Sequence, residues 1–284
     1  MAIHCEHLPS MSTLFIVCLF TGLIHLTESV VYSFRLAGIR TRQLAIALSF
    51  VTSTLLVSRL SNLFQAPLLG AMVDRAILNQ AAPTLALTFR IVILAASLGA
   101  FVGLMLTPTA VRVFQTAVVS FQRHGSIIRL ILKLRHGRTW AILWHQCQRP
   151  QFRPMLALLA RWRYLPKYFL YLNILVTAIY TIGVLCAMYA AALLPEFRAT
   201  AIQLSGLING MATILLTLFV DPAGARITDQ TFHNHRPECD VKATIVYLLL
   251  GRLIGTVIVA QLLFLPFSHY LATVTRWLST WLVL

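Results

Sequence analysis

The 284-residue sequence is 58% hydrophobic and only 11% charged, whereas soluble domains carry roughly 25% charged residues. With a mean hydropathy of +0.80, this balance excludes a soluble globular domain and defines an all-α integral membrane protein. The net charge of +15, from 23 Lys and Arg against 8 Asp and Glu, suits anionic phospholipids, an anionic substrate, or both. No nucleic acid is implied, because the basic residues flank apolar runs and no nucleic-acid motif occurs.

Six stretches reach the roughly 20 apolar residues that a transmembrane helix needs: 12–34, 44–66, 84–106, 168–194, 200–220 and 243–266. The first lacks a preceding Lys or Arg and a following small-residue cleavage site, so it reads as a retained span and not as a signal peptide. Cys5, Cys18, Cys147, Cys186 and Cys239 are irregularly spaced and suggest no disulfide framework.

Orientation follows the rule that Lys and Arg in loops stay on the cytoplasmic side. One set of connections holds Arg35, Arg40, Arg42, eleven cations between positions 112 and 167, and Arg226, Arg236 and Lys242. The opposite set holds Arg75, Arg198 and Arg276. The expected topology is a multi-pass membrane protein with both termini outside.

Four segments result: an N-terminal three-span half at 1–106, a basic connection at 107–166, a C-terminal three-span half at 167–266, and an amphipathic tail on the outer surface at 267–284. The halves would insert in opposite senses, which is compatible with two inverted three-helix halves. In the connection, Ile127, Ile128, Leu130, Ile131 and Leu134 alternate with Arg129, Lys133, Arg135 and His136, with Trp140, Trp144 and Trp162 nearby. That mixture predicts basic interfacial helices between spans 3 and 4. The pairs Gly99/Gly103, Gly206/Gly210 and Gly251/Gly255 have the spacing that lets helix backbones approach closely.

Charges inside the spans carry the functional argument. An arginine in hydrocarbon costs between roughly 3 and more than 10 kcal/mol, so it normally faces a bundle interior or a water-filled cavity. Taking 1.5 Å per residue, Glu28, Arg252 and Arg59 lie about 9, 14 and 22 Å from the basic ends of their spans. Glu28 and Arg252 are matched in depth and should pair, leaving Arg59 as a spare positive charge. Arg59 could snorkel to the outer interface. Against that, Ser58, Asn62 and Gln65 place a polar stripe beside it. His25, Asn173, Gln203, Asn209 and Gln261 add polar groups within other spans. Arg59, Arg252, Glu28, Asn62, Gln65 and Asn209 are therefore the candidate substrate-binding residues.

Signals for catalysis are missing. Ser58-Arg59 begins a Ser-Arg-x5-His phosphatase pattern, yet its His and the Pro-Ser-Gly-His block are absent, as are paired aspartates for magnesium. The loop HNHRPECD offers His233, His235, Glu238, Cys239 and Asp240, but reads as an ordinary polar loop, so no metal is expected. No nucleotide loop occurs and no cofactor is implied.

The blocks VYSFRLAGIRTRQLAIALS (31–49), LVSRLSNLFQAPLLGAMVD (56–74), NILVTAIYTIGVL (173–185), SGLINGMATILLTLFVDP (205–222) and GRLIGTVIVAQLLFLP (251–266) resemble the Amj family of bacterial lipid II flippases. The resemblance weakens over 108–166. It implies movement of undecaprenyl-pyrophosphate-linked peptidoglycan precursor, lipid II, from the inner to the outer leaflet, and no enzymatic reaction. It brings no site residues with it; those above rest on intramembrane charge. Alternatives open at this stage are a flippase for another polyprenyl-linked sugar, a membrane enzyme acting on a polyprenyl pyrophosphate, and a scaffold for envelope assembly.

Overall fold

A computed structural model describes residues 11–126, 129, 132, 135, 144–150 and 152–282. Among them helices are the only regular secondary structure, and six are long and apolar enough to cross a membrane. Span 1 is Met11–Thr41, span 2 Leu44–Leu78, span 3 Ala82–His124, span 4 Lys167–Leu193, span 5 Pro195–Phe232 and span 6 Glu238–Trp281. Of the apolar and basic pattern expected at positions 127–140, all but Arg129 and Arg135 fall outside the described residues.

Most of the spans run further than hydropathy alone suggests, spans 3 and 6 by the most. Span 3 does not stop at position 106 but continues through Pro108 to His124. At 1.5 Å per residue its 43 residues make a rod about 64 Å long, roughly twice the hydrocarbon thickness. Span 6 likewise passes Pro266 without a break, and the helix that begins at Ala260 ends at Leu282. Its last turns carry Leu271 and Thr275 into the protein interior, so the segment after position 266 is a continuation of span 6 and not a separate element. Proline is tolerated in such helices because neighbouring helices and Ser or Thr side chains re-satisfy the freed backbone groups.

The two halves pack alike. Span 1 lies against spans 2 and 3, and span 4 lies against spans 5 and 6. The contacts of each central helix with the third helix of its half depend on small residues. A Cβ on Gly99 would strike the backbone of Gly22, and one on Gly103 would strike Ser29. In the other half, a Cβ on Gly255 would come within 2.7 Å of the Ile174 carbonyl oxygen. Gly206 and Gly210 differ, for both are exposed and a Cβ on either meets nothing within 4 Å. Helix spacing alone does not say which face meets a neighbour. Gly99→Ala is accordingly expected to destabilise the protein by about 1–3 kcal/mol through overpacking, and Gly206→Ala to leave the thermal midpoint in detergent unchanged. Equal midpoints for the two variants would contradict this packing.

Spans 3 and 6 meet along one side of the bundle, whereas spans 2 and 5 share no extensive contact on the other. The outer face of span 2 presents Leu56, Leu60, Leu63 and Phe64 to the surroundings, an apolar belt suited to lipid. Polar side chains join the helices behind it. Gln65 Nε2 donates to Thr21 Oγ1 at 2.6 Å, and Asn173 Nδ2 donates to the Leu248 carbonyl at 3.0 Å. Span 5 changes to a π-helix at Leu216–Val220 and span 6 at Gly255–Val259, local widenings that occur often at functional sites.

The basic end of the bundle is tied by ion pairs. Arg40 and Lys242 both meet Glu238, at 2.8 and 2.7 Å. Arg161 meets Asp240 at 2.6 Å, and Arg35 meets Asp221 at 3.3 Å. Two carboxylates of the 233–240 loop region are thus engaged by cations. Among the described residues no group of three or more His, Cys, Asp or Glu is placed to hold a metal ion.

Candidate functional site

Where spans 2 and 5 part, a cavity of about 100 Å³ enters the bundle. Span 2 supplies Ser58, Arg59, Asn62 and Gln65, which recur at helical spacing and so share one face. Span 1 contributes Thr21 and His25, span 4 contributes Tyr180 and Thr181, and span 5 contributes Asn209. Arg59 and Asn62 are exposed, while His25, Ser58 and Gln65 are buried. The first two therefore stand at the mouth and the last three form the floor. Asn209 reaches the cavity because its neighbour is Gly183: a Cβ there would lie 2.5 Å from Asn209 Oδ1.

The electrostatics are those of one excess cation in a polar cleft. Arg59 makes no ion pair with any described carboxylate. Behind it, Arg252 Nη1 donates to Glu28 Oε2 at 2.7 Å, with the two side chains only 8% and 11% exposed. The two meet as their matched depths require. Ser58 Oγ donates to the other Glu28 oxygen at 3.1 Å, so one hydroxyl bridges the cavity wall and the buried pair. Glu28 and Arg252 themselves do not line the cavity. His25 Nδ1 and Asn209 Oδ1 are buried polar atoms without a protein partner, and both residues face the cavity. Buried polar atoms are ordinarily satisfied by protein, water or ligand, so their placement here marks a site fitted to polar guests.

Four of the six residues singled out by intramembrane charge and polarity thus come together: Arg59, Asn62, Gln65 and Asn209. Glu28 and Arg252 stand apart as a paired unit. Of the other polar span residues, Asn173 is fully buried and bonded to span 6, while Gln203 is exposed. Gln261 is engaged by Arg90, an intramembrane arginine that the depth argument passed over. Arg90 Nη1 donates to the Gln261 carbonyl at 3.1 Å, and Gln261 Nε2 returns a bond to the Arg90 carbonyl at 3.0 Å. Applied to span 3, the cost of an arginine in an apolar run would have found it. Tyr180 and Thr181 gave no comparable signal, since a Tyr-Thr pair inside an apolar helix is common packing material.

A bundle of six helices long and apolar enough to cross a membrane, open on one side into a polar cleft with Arg59 at its mouth, defines a class: a multi-pass membrane protein. Comparison narrows the class. The chain belongs to the family described as Amj, alternate to MurJ, whose model matches residues 20–275. It is 36% identical over 272 residues to a Bacillus subtilis (strain 168) protein named lipid II flippase Amj, covering 95% of this chain and 99% of that protein. No solved structure is significantly similar to the chain.

Proposed function

We propose that this protein is a lipid II flippase, a transporter and not an enzyme. It moves the undecaprenyl-pyrophosphate-linked peptidoglycan precursor from the inner to the outer leaflet of the bacterial cytoplasmic membrane. The headgroup crosses in the cleft between spans 2 and 5 while the polyprenyl tail stays in lipid. The observation that carries this reading is the unpaired Arg59 at the mouth of a polar intramembrane cavity. A guanidinium can hold a pyrophosphate through two parallel charge-assisted hydrogen bonds. Asn62, Gln65 and Asn209 offer amide donors and acceptors to the sugars, and a site must bind weakly enough to release its cargo. Arg252 sits behind the wall, held by Glu28, which also accepts from the Ser58 hydroxyl; it reaches a phosphate only if Glu28 lets go. The basic end of the bundle faces the cytoplasm, which puts both termini outside.

Functional replacement tests the proposal. In a bacterium depleted of its resident lipid II flippases, expression of this protein is expected to restore the appearance of precursor in the outer leaflet. Absence of precursor there, despite full expression and membrane insertion, would overturn it. Release of inorganic phosphate from the polyprenyl pyrophosphate by the purified protein would instead favour a phosphatase.

A further inference from the structure

A second cavity, of about 270 Å³, lies at the basic end on the seam where spans 3 and 6 meet. Its walls are apolar. Leu104 and Val111 come from span 3, Ile245 and Val246 from span 6, and Met155 and Leu158 from the short helix Phe152–Leu159. The slot is built, because its cover is fastened on both sides. Tyr247 Oη donates to the Leu159 carbonyl at 2.6 Å, which ties the short helix to span 6. The Gln148 N–H donates to Thr109 Oγ1 at 2.9 Å, which ties the preceding segment to span 3.

The polar members of the same lining are mostly cationic: Arg40, Arg149 and Lys242. Glu238 accepts from both Arg40 and Lys242, and Arg149 meets no described carboxylate. Three cations against one carboxylate leave this rim positive. Glu238 also holds two of the cations, Arg40 and Lys242, at one place. Between the short helix and span 4, the Lys167 ammonium lies 4.5 Å from the centre of the Trp162 ring, an amphipathic pair of the kind found at headgroup depth. An apolar slot with a cationic rim at that depth matches one ligand chemistry, a chain of hydrocarbon attached to a phosphate.

We propose that this seam binds an anionic phospholipid, with an acyl chain in the slot and its phosphate among Arg40, Arg149 and Lys242. Spans 1 and 4 separate the slot from the cleft between spans 2 and 5, so the occupant is a resident lipid of the basic-side leaflet and not cargo in transit. Because the slot is shared by the third helix of each half, the bound lipid bridges the two halves where they touch.

The test uses the full-length protein in detergent, titrated with phosphatidylglycerol or with phosphatidylcholine of the same chain length, and reads bound lipid by native mass spectrometry. Phosphatidylglycerol is expected to bind about tenfold more tightly than phosphatidylcholine, and Arg149→Gln to weaken it by a similar factor, the worth of one charge-assisted hydrogen bond. Arg149 is exposed, so this variant keeps the fold. Met155→Trp, which fills the slot, is expected to lower occupancy in the same way, while Arg59→Ala leaves it unchanged. Equal binding of the two lipids, or wild-type binding by Arg149→Gln, would overturn the site. Displacement of phosphatidylglycerol by a polyprenyl pyrophosphate at lower concentration would also overturn it, since the slot would then belong to the transport path.

Discussion

Arg59→Ala is expected to lower headgroup translocation by about 10- to 100-fold, because the hydrogen bonds of a guanidinium to phosphate are worth about 1.5–3 kcal/mol and each 1.4 kcal/mol is a factor of about ten. Expression, insertion and thermal midpoint should stay at wild-type values. The reason is local: Arg59 is exposed at the cavity mouth and holds no carboxylate whose partner would be lost. Arg59→Lys keeps the charge but loses the planar fork, and should fall between wild type and alanine. If Arg59 merely snorkelled to the interface, Arg59→Gln would transport normally. Leaflet-resolved precursor assays on the three variants, at matched expression, separate these outcomes.

Arg252→Ala and Glu28→Ala are expected to act on stability first. Removing one member of a buried ion pair leaves the other charged and unpartnered at a cost of about 3–5 kcal/mol. Here both side chains are nearly enclosed, and Ser58 completes the carboxylate's bonding. Each single change should therefore cut the yield of monodisperse protein and lower its thermal midpoint. The double change Glu28→Leu with Arg252→Met should recover much of that loss, because it removes both charges and retains volume. A double variant as unstable as the worse single one would show that the pair does more than neutralise itself. Normal stability in either single variant would show that the pairing is unimportant.

Much of this was legible in the sequence. The six spans follow from hydropathy because a helix in lipid must be apolar nearly all round. The Glu28 and Arg252 pairing follows from depth, since a rise of 1.5 Å per residue converts position into height. The helix ends did not follow. Hydropathy falls after Leu106, yet the helical backbone ladder continues through Pro108 to His124. The same holds after Pro266. Rotation about the helix axis was equally hidden. Nothing in the spacing of Gly206 and Gly210 tells that they face outward, or that Asn209 between them turns inward past Gly183. Depth likewise set Glu28 and Arg252 near the cleft without showing that they stand behind its wall. Arg90 is bonded to Gln261, 171 positions away in the sequence, a contact that neither hydropathy nor depth reveals.

The central claim is that the headgroup crosses between spans 2 and 5, and accessibility of that cleft during transport tests it most directly. In a cysteine-free background, Asn62→Cys places one thiol at the cavity mouth. Proteoliposomes carrying fluorescent lipid II report translocation before and after that thiol is capped with a bulky reagent. Translocation without phosphate release before capping, its loss after capping, and protection of the thiol by excess lipid II are the expected results. Unimpaired translocation by fully capped protein would contradict the account.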